Sequence, residues 1–139
     1  MLLAPTLLAD AHDLDLFQSG NDNLDEWLRR RARANQISGA SRTYVVADDA
    51  RVVGYYCLSS GGLAAVDAPG SIRRNMPDPI PMAIVGRLAV DHSWQGRGLG
   101  VALLQDAVLR TAQAAAIMGI RGILGHAISE KAKAFHERY

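Results

Sequence analysis

Residues 95–100, Gln-Gly-Arg-Gly-Leu-Gly, hold the densest chemistry in the chain. The apolar run before them, residues 82–90 (MAIVGRLAV), reads as a buried strand; residues 101–109 (VALLQDAVL) after them carry apolar side chains at helical spacing. A strand, a glycine-rich turn and a helix start form a cradle for phosphate, because the first N–H groups of a helix have no partner and its dipole favours an anion there. Gly96, Gly98 and Gly100 let backbone approach a ligand with no Cβ in the way, and Arg97 adds a cation. No Gly-Lys-Ser/Thr follows, and the spacing is not G-x-G-x-x-G, so two other phosphate-binding fingerprints are excluded. By itself the turn also reads as a connection that merely lets a helix pack on a sheet.

The remaining chemistry is carried by arginine. Lys131 and Lys133 are the only lysines, whereas Arg29, Arg30, Arg31 and Arg33 fall within a turn and a half of predicted helix and Arg73 and Arg74 are adjacent in a predicted loop. Arginine is the better fork for phosphate, and clustering matters more than the net charge of +1 for attracting nucleic acid. Read blandly, the first cluster is a solvated helix face. Cys57 sits in a strand-like run and reads as a small buried hydrophobe rather than a catalytic thiol. Trp94 either packs on the helix after the turn or stacks on a base. His126 lies in a predicted core strand, where it either orients substrate or is structural. Asp91 is expected to cap the turn after the strand, and Glu130 sits in a first helical turn that favours a carboxylate anyway.

The elements that must position these groups follow from the pattern. A chain of 139 residues, 49% hydrophobic and 21% charged, is expected to form a single domain over residues 1–139 with one core. Strands are predicted at residues 2–8, 43–47, 52–58, 82–90 and 120–127. Gly20, Asn21, Asp22 and Asn23 give a turn and a cap for a helix whose inner stripe is Leu24, Trp27, Leu28, Ala32 and Ile37, with Arg29, Arg30 and Arg33 mostly outward. Leu14, Leu16 and Phe17 in the lead-in are available for packing, and residues 59–81 read as an irregular functional loop with a short helix near Ala64–Val66. Helices from about residue 99 to 118 and from Ser129 through Tyr139 complete a mixed α/β (α+β) fold with helices on both faces of the sheet. No run approaches a membrane span, the single cysteine excludes an internal disulfide, and a reducing cytoplasm fits.

Residues 41–46 (SRTYVV), 53–56 (VGYY), 75–81 (NMPDPIP), 86–91 (GRLAVD), 93–100 (SWQGRGLG) and 126–128 (HAI) together resemble the GNAT N-acetyltransferases. Within them they look like the toxins of bacterial type II toxin–antitoxin modules, the TacT/AtaT-like group. The resemblance runs from Phe17 onward. It implies the GNAT fold and acetyl-CoA-dependent acetylation of the amino group of an aminoacyl-tRNA, which blocks translation. It further implies a homodimer, a ribbon-helix-helix antitoxin, no metal and no membrane. In such folds acyl-CoA lies along a splayed strand edge, so Leu88, Ala89 and Val90 would hold the pantetheine arm, and Gln95, Gly96, Arg97, Gly98, Leu99 and Gly100 the pyrophosphate. Tyr139 matches the tyrosine that such proteins use as general acid toward the departing thiolate. Arg29, Arg30, Arg33, Arg73 and Arg74 are the expected contacts to tRNA phosphates.

Against that pattern the chain stops at Tyr139, where relatives continue into a last pair of strands, and His136 stands where an aromatic is common. A GNAT enzyme acting on a small amine or a protein amine, and a non-catalytic form that binds only CoA or antitoxin, are the two other readings of the same residues.

Overall fold

The computed structural model describes residue 2 and residues 4–125. Strand β1 (Thr6–Leu7) is followed by helices α1 (Asp22–Arg30) and α2 (Ala32–Ser38), then strands β2 (Arg42–Asp48) and β3 (Arg51–Leu63). A short helix α3 (Gly70–Arg73), strand β4 (Ile80–Val90), helix α4 (Leu99–Ala115) and strand β5 (Gly122–Gly125) complete the described residues. The sheet order is β1-β2-β3-β4-β5. The first four strands run antiparallel, and β5 joins β4 in parallel after the α4 crossover.

Successive side chains on a strand point to opposite faces, and here each face is buried. Val45, Val52 and Tyr55 pack with Phe17 and with Leu24, Leu28 and Ala32 of α1 and α2. Their neighbours Val46, Val53 and Tyr56 pack instead with Leu99, Leu103 and Ala107 of α4. Gly54 allows α4 to sit this close, since a Cβ there would lie 3.1 Å from Leu103 Cδ1 and 3.2 Å from Leu99 Cδ2. The Tyr56 hydroxyl donates to Asp106 at 2.5 Å, and Arg110 holds the same carboxylate at 2.8 Å, fastening α4 from its far side.

Several sequence expectations are corrected. The first helix divides at Arg31, whose φ of −119° departs from regular helix geometry, and Gly39 in the left-handed conformation ends α2. Ile37 is therefore 88% exposed rather than part of the inner stripe, and Leu16 is 61% exposed. The first strand is only two residues long, with Leu2 adding an isolated bridge to Asp48. β3 runs five residues beyond the expected end at Leu58, so the predicted loop starts later. Ser59, Ser60, Gly61 and Gly62 have turn composition, yet they pair with residues 81–84 of β4, and the glycines are there because Ile84 and Pro79 lie where Cβ atoms would go. The short helix near Ala64–Val66 is a 3-10 turn (Ala65–Asp67), and Arg73 is helical with Arg74 as its C-cap. The expected final helix, with Ser129, Glu130 and Tyr139, and His126 at the end of the fifth strand, lie outside the described residues. Among the described residues no helix is long and apolar enough to cross a membrane.

Candidate functional site

The site begins at the far end of β4. Among the described residues β5 pairs with β4 from Met82 to Val85, and none pairs with Leu88 or Val90 from that side. Beyond that point the N–H of Asp91 donates to the carbonyl of Val53 on β3 at 2.8 Å. Backbone groups alternate sides along an antiparallel strand, so Ala89 faces β3 with Asp91 while Leu88 and Val90 turn their N–H and C=O groups to the open edge. Their side chains pack toward α4, and Ala89 is buried on the opposite face. The split is sharpened by a bulge: Cys57 faces Arg87 and Leu58 faces Val85, leaving Gly86 as the extra residue. A Cβ at Gly86 would stand 3.1 Å from Cys57 Sγ.

The open edge runs into the glycine-rich turn. Gly96 and Gly98 adopt φ of +79° and +81°, the left-handed conformation that favours glycine, and no atom lies within 4 Å of a Cβ at either position. Gly98 caps α4 with no side-chain hydrogen bond. The first intrahelical bond is from Ala102 N–H to the Gly98 carbonyl, so the N–H groups of Leu99, Gly100 and Val101 have no intrahelical partner. They border a depression of about 300 Å³ lined by Val90, Trp94, Gln95, Gly96 and Gly98. Such a cradle of free N–H groups fits a phosphate. Gly100 is helical with only Val90 Cγ2 near its Cβ direction, at 3.8 Å, so sterics there do not demand glycine. The Leu99 side chain is core.

Side chains around the turn mostly brace it. Gln95 Nε2 donates to the carbonyls of Ser19 (2.7 Å) and Val90 (2.9 Å). Trp94 packs against the α4 core, and the Arg97 guanidinium lies 4.9 Å over its ring. The buried Asp91 carboxylate accepts from the N–H groups of Gln18 and Ser93, both at 3.0 Å, and from the Ser93 hydroxyl at 2.7 Å. Burial pushes the Asp91 carboxyl up, but the bonds from Ser93 and Gln18 outweigh it and hold the group below its ordinary value. A carboxyl lowered in this way contributes stability that is present above its unfolded pKa and lost as pH falls through the folded one. Asp91→Asn is therefore expected to cost about 1–3 kcal/mol at neutral pH. It should also show a smaller further loss on acidification to pH 3 than the parent, as denaturant titrations at both pH values would reveal.

The structure places the predicted arginines in different settings. Arg29 and Arg33 do not simply look outward. Arg29 donates to the Phe17 carbonyl at 2.8 Å and Arg33 to the His12 carbonyl at 2.7 Å. The irregular lead-in exposes carbonyls that no strand satisfies, and these guanidinium groups satisfy them. Arg30 pairs with Glu26 at 3.3 Å on an exposed helix face. Arg73 and Arg74 are exposed beside the β3–β4 connection, where Arg121 ties α3 to the start of β5 through the carbonyls of Ser71 and Ile72. Cys57 is buried, and desolvation pushes its thiol up, which disfavours the thiolate. Burial likewise raises the phenols of Tyr55 and Tyr56.

A second cavity escaped the sequence reading. It measures about 680 Å³, lies between α1–α2 and the bulged β3–β4 pair, and is lined by Asn21, Asn23, Trp27, Asn35, Ser41 and Arg87 among others. Its sequence signal was the Gly86-Arg87 pair interrupting an apolar strand.

Known proteins resemble this chain in sequence and fold. The chain is 52% identical over 136 residues to the "tRNA-acetylating toxin" of Mycobacterium tuberculosis, spanning 98% of this chain and 82% of the relative. It superposes on the toxin AtaT complexed with acetyl-methionyl-tRNAfMet with a TM-score of 0.89 at 28% identity, covering 99% of this chain and 85% of that one. A tyrosine-to-phenylalanine mutant of AtaT, bound to the C-terminus of the antitoxin AtaR and to acetyl-CoA, aligns with a TM-score of 0.81 at 28% identity, over 99% of this chain and 82% of that one. Residues 39–139 match the model of the acetyltransferase (GNAT) domain. With the open β4 edge, the glycine turn and the five-stranded mixed sheet, this match makes the chain a member of the GNAT acetyltransferase family.

Proposed function

We infer that this protein is an acetyl-CoA-dependent N-acetyltransferase toxin that acetylates the amino group of aminoacyl-tRNA and so blocks translation. The observation that carries the reading is the open β4 edge leading into an uncapped helix start, in a chain 52% identical to a tRNA-acetylating toxin. Bound acetyl-CoA supplies an acetyl group activated as a thioester. The backbone groups of Leu88 and Val90 hold its extended arm as an added strand would be held, with Ala89 fixing the strand between them. The turn from Gln95 through Gly96, Arg97, Gly98, Leu99 and Gly100 receives the pyrophosphate on N–H groups, and Gln95 keeps the turn against the end of β4. Tyr139, through its phenol, returns a proton to the departing sulfur. The tRNA is held by arginine: Arg30, Arg73 and Arg74 keep exposed guanidinium groups for phosphate, while Arg29 and Arg33 contribute what the lead-in carbonyls leave free.

The same reading includes a homodimer, a ribbon-helix-helix antitoxin and a cytoplasmic site of action. An antitoxin-bound relative of the same fold supports the partner. The test is transfer of labelled acetyl from acetyl-CoA to a pool of charged tRNA. Label is expected on the aminoacyl group and not on uncharged tRNA. Bound acetyl-CoA with no label on any charged tRNA would overturn the reading.

A further inference from the structure

The 680 Å³ cleft has an electrostatic peculiarity. Among its described lining residues Arg87 is the only charged side chain, and none is a carboxylate or a histidine. Arg87 is half-buried, and among the described residues no carboxylate lies within ion-pair distance of it. Its guanidinium lies 4.3 Å over the Trp27 ring, and Trp27 in turn stacks on Tyr55 at 6.0 Å with 9° between planes. The contact favours a guanidinium that stays over the ring, facing the cleft. It also follows Gly86, the bulged residue, and precedes Leu88, whose backbone faces the open edge, so it borders the place where acceptor and donor must meet.

Among the described residues, the groups facing Arg87 leave its charge uncancelled. From α1, the buried Asp25 is taken up by the N–H of Ser19 (3.1 Å) and its hydroxyl (2.6 Å). From β3 come Tyr55, whose hydroxyl donates to the Leu24 carbonyl, and the Cys57 thiol, both kept neutral by burial. The α2–β2 side contributes Asn35, Ala40 and Ser41, none charged. Beyond Trp27 at the outer mouth lie Arg31 and the Glu26–Arg30 pair.

Resting on the acetyl-transfer reading above, we propose that Arg87 is the group that keeps the bound acceptor amine neutral by charge repulsion, in a cleft whose described lining holds no base. An ammonium beside a fixed guanidinium is disfavoured relative to the free amine, and only the free amine has the lone pair that attacks the thioester carbonyl. The proton leaves to solvent before the C–N bond forms. A shift of about one pH unit suffices for the weakly basic α-amine of an esterified amino acid, whereas a lysine amine with pKa about 10.4 would remain charged at neutral pH. The cleft therefore sorts acceptors by basicity.

The test compares the parent protein with Arg87→Met and Arg87→Lys on charged tRNA between pH 6 and pH 9, in single turnovers with acetyl-CoA saturating. The rate of the bound complex reports the bound amine, whereas kcat/KM follows the free acceptor. In Arg87→Met the acid limb of kcat should move up by about one pH unit, giving about a tenfold loss near pH 6.5 that vanishes near pH 9. The limb of kcat/KM should stay in place, and Arg87→Lys should keep the parental kcat profile. A loss in Arg87→Met that is the same at every pH, or an Arg87→Lys profile that matches it, makes Arg87 a packing or tRNA contact and overturns the proposal. Labelled charged tRNA in the parent with an unmoved limb in Arg87→Met sinks the role of Arg87 alone. A parent that binds acetyl-CoA and labels no charged tRNA sinks the acetyl-transfer reading and this role with it.

Discussion

Replacing Gly98 with aspartate is expected to abolish acetyl-CoA binding while the protein still folds. Gly98 caps α4 in the left-handed conformation at φ +81°, and no protein atom lies within 4 Å of a Cβ built there. The cost to folding is therefore backbone strain of about 1–2 kcal/mol, with no steric clash to add to it. The cost to binding is much larger. A carboxylate at this position puts a negative charge at the positive end of the helix dipole, where it competes with phosphate. It also sets like charge against the pyrophosphate, worth about 4 kcal/mol at 4 Å in a surface site, or two to three orders of magnitude in affinity. Gly98→Ala separates the two effects, since it introduces the strain without the charge and should lose only a small part of the affinity. Titration calorimetry with acetyl-CoA, beside a thermal melt, reads both. An aspartate variant that binds acetyl-CoA normally would mean that the pyrophosphate does not sit at this turn.

Tyr139→Phe should do the opposite, sparing binding and slowing transfer. The phenol and the phenyl ring fill the same space, so the acetyl-CoA affinity should not change. Removal of a positioned general acid costs about 10²–10⁴ in rate. The loss should appear in the single-turnover rate constant for labelling charged tRNA. Unchanged turnover would remove Tyr139 from the mechanism. The tyrosines of the core give reason to look beyond themselves: Tyr55 and Tyr56 donate their hydroxyls to Leu24 and Asp106, and burial raises both phenols out of a useful range.

Local patterns were legible in the chain. Paired β-branched and aromatic residues at 45–46, 52–53 and 55–56 mark strands buried on two faces, and helices do cover both. Gly96 and Gly98 mark a turn that requires positive φ, and Asn21 does cap α1, accepting from Leu24 N–H. Other readings failed where composition and tertiary contact disagree. Ser59 to Gly62 looked like a loop because serine and glycine are turn formers, but close approach of the Ile84 and Pro79 side chains was the reason for the glycines. Ile37 fitted a helical stripe until the break at Arg31 rotated the second helix away from the register of the first.

By itself, then, the sequence determined the strand–turn–helix cradle, the two-faced sheet and the family, since each rests on backbone conformation and side-chain periodicity over a few neighbouring residues. Tertiary structure alone decided which arginines are free. Arg29 and Arg33 reach carbonyls 12 and 21 residues away along the chain, a demand invisible until the lead-in folds back over the helices. It decided as well that Gly86 bulges and that the Arg87 guanidinium lies over the Trp27 ring beside a cleft. Spacing within one segment carries information about that segment's own hydrogen bonds. Charge compensation and cavities arise only when segments distant in the chain are brought together.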